Sequence, residues 1–166
     1  MTQAEHSYTP PRHAGSKDVP PQVARYLDGA DLQNKTQALR LSTVDAAGWP
    51  HAALLSAGDM VALPGGRIRF AVFKDSGTAA NLARDGRVTV TLALDGGMCE
   101  IRMRARRLIH SPADLPLTFF EAEVQTTRTH IAPYAALVSG FTFALHDPQS
   151  ALPRWRRQIE ALRAAS

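Results

Sequence analysis

The chain has one cysteine, Cys99. That excludes a disulfide framework and a cysteine-based metal cluster. It fits a reducing cytoplasm, the compartment expected here. No apolar run approaches the roughly 18 residues that a membrane-spanning helix needs. The opening MTQAEHSYTPPRHAGSKDVPPQ is polar and Pro-rich and lacks the apolar centre of a secretory signal. No block of five or six like charges occurs. His110, His130 and His146 have no metal-ligand spacing with one another or with carboxylates, so no metal is expected. There is no G-x-S-x-G, no G-x-G-x-x-G after a strand and no P-loop. Aromatic residues make up only 7% of the chain. None interleaves with the basic residues as a stacking platform for nucleic acid would, so no specific nucleic-acid binding is expected.

What is there is ordinary globular composition. The 166 residues are 45% apolar and 20% charged, enough for one domain with a sizeable core. Residues 1–21 are expected to be a flexible tail and residues 22–166 a single domain. The net charge is +4, and all but three of the nineteen basic residues are arginine. Arg102, Arg104 and Arg106 share one face of a strand, and Arg67 and Arg69 share a face of another. A solvated exterior, an interface network and a pocket rim all remain open for them.

Hydrophobic periodicity predicts a mostly β chain. Alternation marks strands in ALRLSTVD, PHAALLSAG, Met60–Leu63, RIRFAV, RVTVTLAL, MCEIRMRARRL and SGFTFALH. Leu39, Leu41 and Thr43 share a face, as do Ile68, Phe70 and Val72, then Val88, Val90 and Leu92, then Cys99, Ile101, Met103 and Ala105. Helices are expected in VPPQVARYLDG, TAANLARDG, SPADLPLTFFEAEVQ and LPRWRRQIEALR. The last places Leu152, Trp155, Ile159 and Leu162 on one stripe. Strands that arrive in hairpins, not alternating with long helices, argue for a small closed or split barrel over a doubly wound sheet.

The segment FKDSGTAANLARDGRVTV, residues 73–90, leaves a strand through a polar cluster and starts a helix. Asp75 or Ser76 there is an N-cap, or the helix start holds an anion on its free N–H groups and positive dipole end.

These pieces, in order, resemble a family. LSTVDAAGWPHAALLS, GRIRFAVFKDSGTAANLARDGRVTVTL and CEIRMRARRL are similar to the split-barrel flavoproteins related to pyridoxamine 5′-phosphate oxidase. Thr43, Val44, Asp45, Gly48, Pro50 and His51 match the family's first hairpin, and Phe70, Ala71, Ser76, Asn81 and Leu82 match its second segment. The resemblance implies an antiparallel split β-barrel with peripheral helices, mostly β (α+β), assembled as a homodimer. It implies FMN at the dimer interface and oxidoreductase activity on a small molecule, with the flavin doing the chemistry. The FMN-binding residues it implies are Leu55, Ser56, Val72, Phe73, Lys74, Ser76, Thr78 and Asn81. Two positions depart from the pattern. Val72 replaces a threonine and Thr78 replaces the lysine of Ser-x-Lys, both of which help hold the flavin phosphate in the family. Either Lys74 or an arginine replaces the lost charge, or Ser76, Thr78 and backbone N–H groups at the helix start hold the phosphate by hydroxyl and dipole contacts. No catalytic acid or base stands out, and the oxidase's C-terminal substrate motif of Arg and His is not recognisable. The alternatives are a deazaflavin such as F420, haem, or a cofactor-free module that keeps the barrel.

Overall fold

The computed structural model describes residues 8–14 and 17–166. The elements in order are β1 (Arg12–Ala14), α1 (Pro21–Tyr26), β2 (Leu39–Val44), β3 (Pro50–Leu55), β4 (Met60–Leu63) and β5 (Arg67–Phe73). Then come α2 (Gly77–Arg84), β6 (Arg87–Leu94), β7 (Gly97–Arg107), β8 (Leu117–His130) and α3 (Pro148–Ala164). The sheet runs β3-β2-β6-β7-β8-β5-β4, with β1 added to β8, and every pairing is antiparallel. It is the expected split barrel with peripheral helices. Within the segment expected to be a tail, Arg12–Ala14 pairs with Thr127–Thr129.

Alternation places the core. The inward faces of β2, β5, β6 and β7 bury Leu39, Leu41, Ile68, Phe70, Val88, Val90, Ile101 and Met103 in the barrel interior. A second core lies outside the barrel wall, where α3 packs Leu152, Trp155, Ile159 and Leu162 against Val61, Ala71 and Phe119. β5 and β8 are therefore covered on both faces, and their buried runs are nearly continuous.

Two expectations are corrected, the first by that double burial. SPADLPLTFFEAEVQ is not a helix: it is a loop followed by the 14-residue strand β8, hydrogen-bonded to β7 on one side and β5 on the other. Ser111 does not cap a helix; its Oγ accepts from the Phe119 N–H. SGFTFALH is not a strand. One bridge, Gln37 to Thr142, ties it to the sheet, and Phe143 and Leu145 turn instead toward α3.

Candidate functional site

A cavity of about 510 Å³ opens where β3 leaves the sheet for β4, beside the end of β5. Such a volume falls in the range of small-molecule sites. Leu54, Leu55, Ser56 and Asp59 form one side. The end of β5 and the start of α2 give Val72, Phe73, Ser76 and Thr78. Phe143, Leu145, Arg154, Trp155 and Gln158 form a third wall, and Leu115–Leu117 complete the rim.

The α2 side grows out of the strand-to-helix turn. Ser76 is the N-cap: its Oγ accepts from the Ala79 N–H at 3.1 Å and donates to the Phe73 carbonyl at 2.7 Å. The capping role at this turn thus falls to Ser76, and its hydroxyl is fully engaged. Thr78, two residues on, differs. It lines the cavity, is only 4% exposed, and makes no side-chain hydrogen bond among the described residues. No buried side-chain nitrogen or oxygen among the described residues lacks a partner, so the Thr78 hydroxyl is no buried orphan but a donor open to a ligand in the cavity it lines. The His51 ring lies beside Gly77 but does not line the cavity.

The β3–β4 turn is a closed polar knot. Asp59 accepts from the Ser56 N–H and Oγ, both at 2.7 Å, and from the Gln158 side-chain amide at 2.8 Å. Gln158 also donates to the Gly58 carbonyl at 3.1 Å. These bonds tie α3 to the turn and give both Asp59 oxygens a donor. Trp155 packs closely against Gly58 and meets Phe143 edge-on, with ring centroids 6.0 Å apart.

The far end of α3 is held by charge. Arg69 donates to the Leu162 and Arg163 carbonyls, the orphan acceptors of the helix C-terminus, at 2.9 and 3.0 Å. Its Nε also donates to Glu121 at 2.7 Å, and Arg106 donates to the other Glu121 oxygen at 2.6 Å. Burial pushes the Glu121 carboxyl up, but the hydrogen bonds from Arg69 and Arg106 outweigh it and hold it below the ordinary glutamate range. The arginine stripes are thus exterior in part only: Arg69 is buried in an ion network.

Of the expected site residues, the structure brings Leu55, Ser56, Val72, Phe73, Ser76 and Thr78 to the cavity wall. Lys74 and Asn81 lie off it. Asn81 is buried and donates to Thr43 Oγ at 3.0 Å, fastening α2 to β2. Asp59, Arg154, Trp155 and Gln158 were not anticipated at the site. The helical stripe of Trp155 announces a buried face, and Arg154 and Gln158, one turn apart, carry no sequence signal that names the cavity they meet. Among the described residues no cluster of His, Cys, Asp and Glu could hold a metal ion, and no helix is long and apolar enough to cross a membrane.

Comparison with known proteins gives both a relative and a fold. Bacillus subtilis YclD, a protein of uncharacterised function, is 34% identical over 139 residues, which span 82% of this chain and 90% of YclD. No family model matches. A proposed pyridoxamine 5′-phosphate oxidase of Lactobacillus delbrueckii shares the fold with a TM-score of 0.54 at 14% identity, over 69% of this chain and 97% of its own. HupZ of Group A Streptococcus superimposes with a TM-score of 0.50 at 16% identity, over 64% of this chain and 94% of its own.

Proposed function

The chain belongs to the family of Bacillus subtilis YclD and has the split-barrel fold of the pyridoxamine 5′-phosphate oxidase-related proteins, and from that premise we propose that it binds FMN in this cavity. One observation carries the reading: the Thr78 side chain, which makes no hydrogen bond among the described residues, stands on the cavity wall at the start of α2. The N–H groups of that first turn and the helix dipole favour an anion there. The walls offer a flat heteroaromatic ring apolar surface in Leu55, Val72 and Trp155. Thr78 and the α2 turn hold the phosphate; Leu55, Val72, Phe73 and Trp155 flank the ring and exclude water. Bound FMN would supply two-electron transfer, making the protein an oxidoreductase for a small molecule.

Thr78→Val keeps the shape of the side chain and removes its hydroxyl. FMN affinity is expected to fall about two- to tenfold, the worth of one hydrogen bond, with the melting temperature unchanged. Ser76→Ala should do the reverse. It loses a cap worth about 1 kcal/mol and melts lower, while FMN affinity changes little because the Ser76 hydroxyl already has both partners. Fluorescence titration and thermal melts on the same variants separate the two. Unchanged affinity in Thr78→Val counts against this phosphate site and favours the cofactor-free reading, which Val72 and the missing lysine at position 78 support.

The working form is a homodimer. Leu54 and Phe73 rim the cavity yet are 55% and 65% exposed, and β3 is an edge strand with Leu54 facing out. A second copy lying over this edge buries apolar surface and closes the mouth. Sedimentation should give a dimer at micromolar concentration, with an interface above roughly 1,000 Å². A single monomeric species would remove the second half of the site.

A further inference from the structure

Resting on the flavin reading above, we infer that Arg154 supplies the positive charge for the ligand's phosphate, the charge that position 78 lacks. Arg154 is the one cationic side chain lining the cavity among the described residues. It makes no ion pair or side-chain hydrogen bond there, whereas most strand arginines are committed. Arg67, Arg69 and Arg106 meet Glu121; Arg102 and Arg128 meet Glu100; Arg87 meets Asp85. The carboxylate that could compete within the cavity, Asp59, already accepts three hydrogen bonds from Ser56 and Gln158 and makes no ion pair with Arg154.

The packing sets Arg154 at the correct end. The C-terminus of α3 sits at Arg69, near the start of β5. Trp155 sits on Gly58, and β4 pairs Met60 with Phe70, so Gly58 lies level with about Val72. From Leu162 to Trp155 the helix climbs about 10 Å at its usual rise. From Arg69 to Val72 the strand covers about the same length. The helix therefore runs antiparallel to β5 and brings Arg154 to the Val72–Phe73 end, where the chain turns into α2. An arginine there can meet a phosphate with two parallel N–H donors, which a lysine cannot do. The ligand class is a phosphate monoester on a flat heteroaromatic, with Thr78 donating one further bond.

The test compares FMN with riboflavin, which lacks the phosphate, on the full chain. Fluorescence titrations of wild type, Arg154→Ala and Arg156→Ala are paired with thermal melts. FMN affinity should fall about tenfold or more in Arg154→Ala, riboflavin affinity should stay level, and Arg156→Ala should match wild type with both. An equal fall for both flavins, or none, overturns the role of Arg154 while wild-type FMN binding leaves the flavin reading standing. Wild type that binds neither flavin overturns both. Arg154 is exposed, so an unchanged melting temperature is expected and verifies that the variant is folded.

Discussion

Glu121→Ala is expected to cost about 3–5 kcal/mol of folding stability, the usual loss when one partner of a buried ion network is removed. The Glu121 side chain is 4% exposed and takes Arg69 on one oxygen and Arg106 on the other. Without it, Arg69 stays buried beside Phe119 and α3 with an uncompensated charge. The two carbonyls of Leu162 and Arg163 satisfy part of that guanidinium and do not neutralise it. Urea unfolding should show the lowered midpoint. Glu121→Leu with Arg69→Met, which removes both charges, should recover much of the loss, since an apolar replacement of a buried pair is often neutral. The same carboxylate predicts an acid limit. Its folded-state pKa lies below its unfolded value, so its contribution is complete above the unfolded value. That contribution drains away as the pH falls through the folded value. A stability profile between about pH 7 and pH 3 should lose less in Glu121→Ala than in wild type.

Gly58→Ala is expected to destabilise the fold as well, through collision. A methyl group there would lie 2.2 Å from Trp155 Cγ, 2.3 Å from Cδ2 and 2.7 Å from Cβ. The ring is buried in the outer core and meets Phe143 edge-on. Either α3 lifts or the β3–β4 turn shifts, and both strain the Gln158 bonds to Gly58 and Asp59. Overpacking of this kind costs about 1–3 kcal/mol and at times more. Trp155→Ala should cost about 3–5 kcal/mol, because it empties an aromatic site. The double variant should lose less than the sum of the two, since the new methyl then occupies space the ring has vacated. Additive losses would mean that Gly58 and Trp155 do not touch. Tryptophan emission in a Trp49→Phe background gives a second readout, as Trp49 is exposed and otherwise adds a solvent-like signal.

Much of the barrel was legible in the sequence because one-faced strands alternate. β2, β6 and β7 each keep apolar residues in and polar residues out, and period-two reading finds them at once. β8 was not legible as a strand. Phe119, Phe120, Glu121 and Ala122 are all buried because the barrel interior takes one face and α3 the other. With alternation erased, the Ser-Pro-Ala-Asp pattern ahead of it looked like a helix cap. The reverse error fell on residues 139–146, where Phe141, Phe143 and Leu145 alternate without a strand: Phe141 is exposed, and Phe143 packs on Trp155. The α2 half of the site was readable because capping chemistry is local. The α3 half was not, because Arg154 and Gln158 gain their meaning from the turn that α3 happens to cover.

The flavin claim is tested most directly by one spectrum. The purified full chain is incubated with excess FMN, desalted, and its visible absorbance recorded. A retained flavin spectrum, at close to one FMN per chain, is the result this account predicts. A desalted protein with no flavin bands, folded by circular dichroism and dimeric by sedimentation, would contradict it.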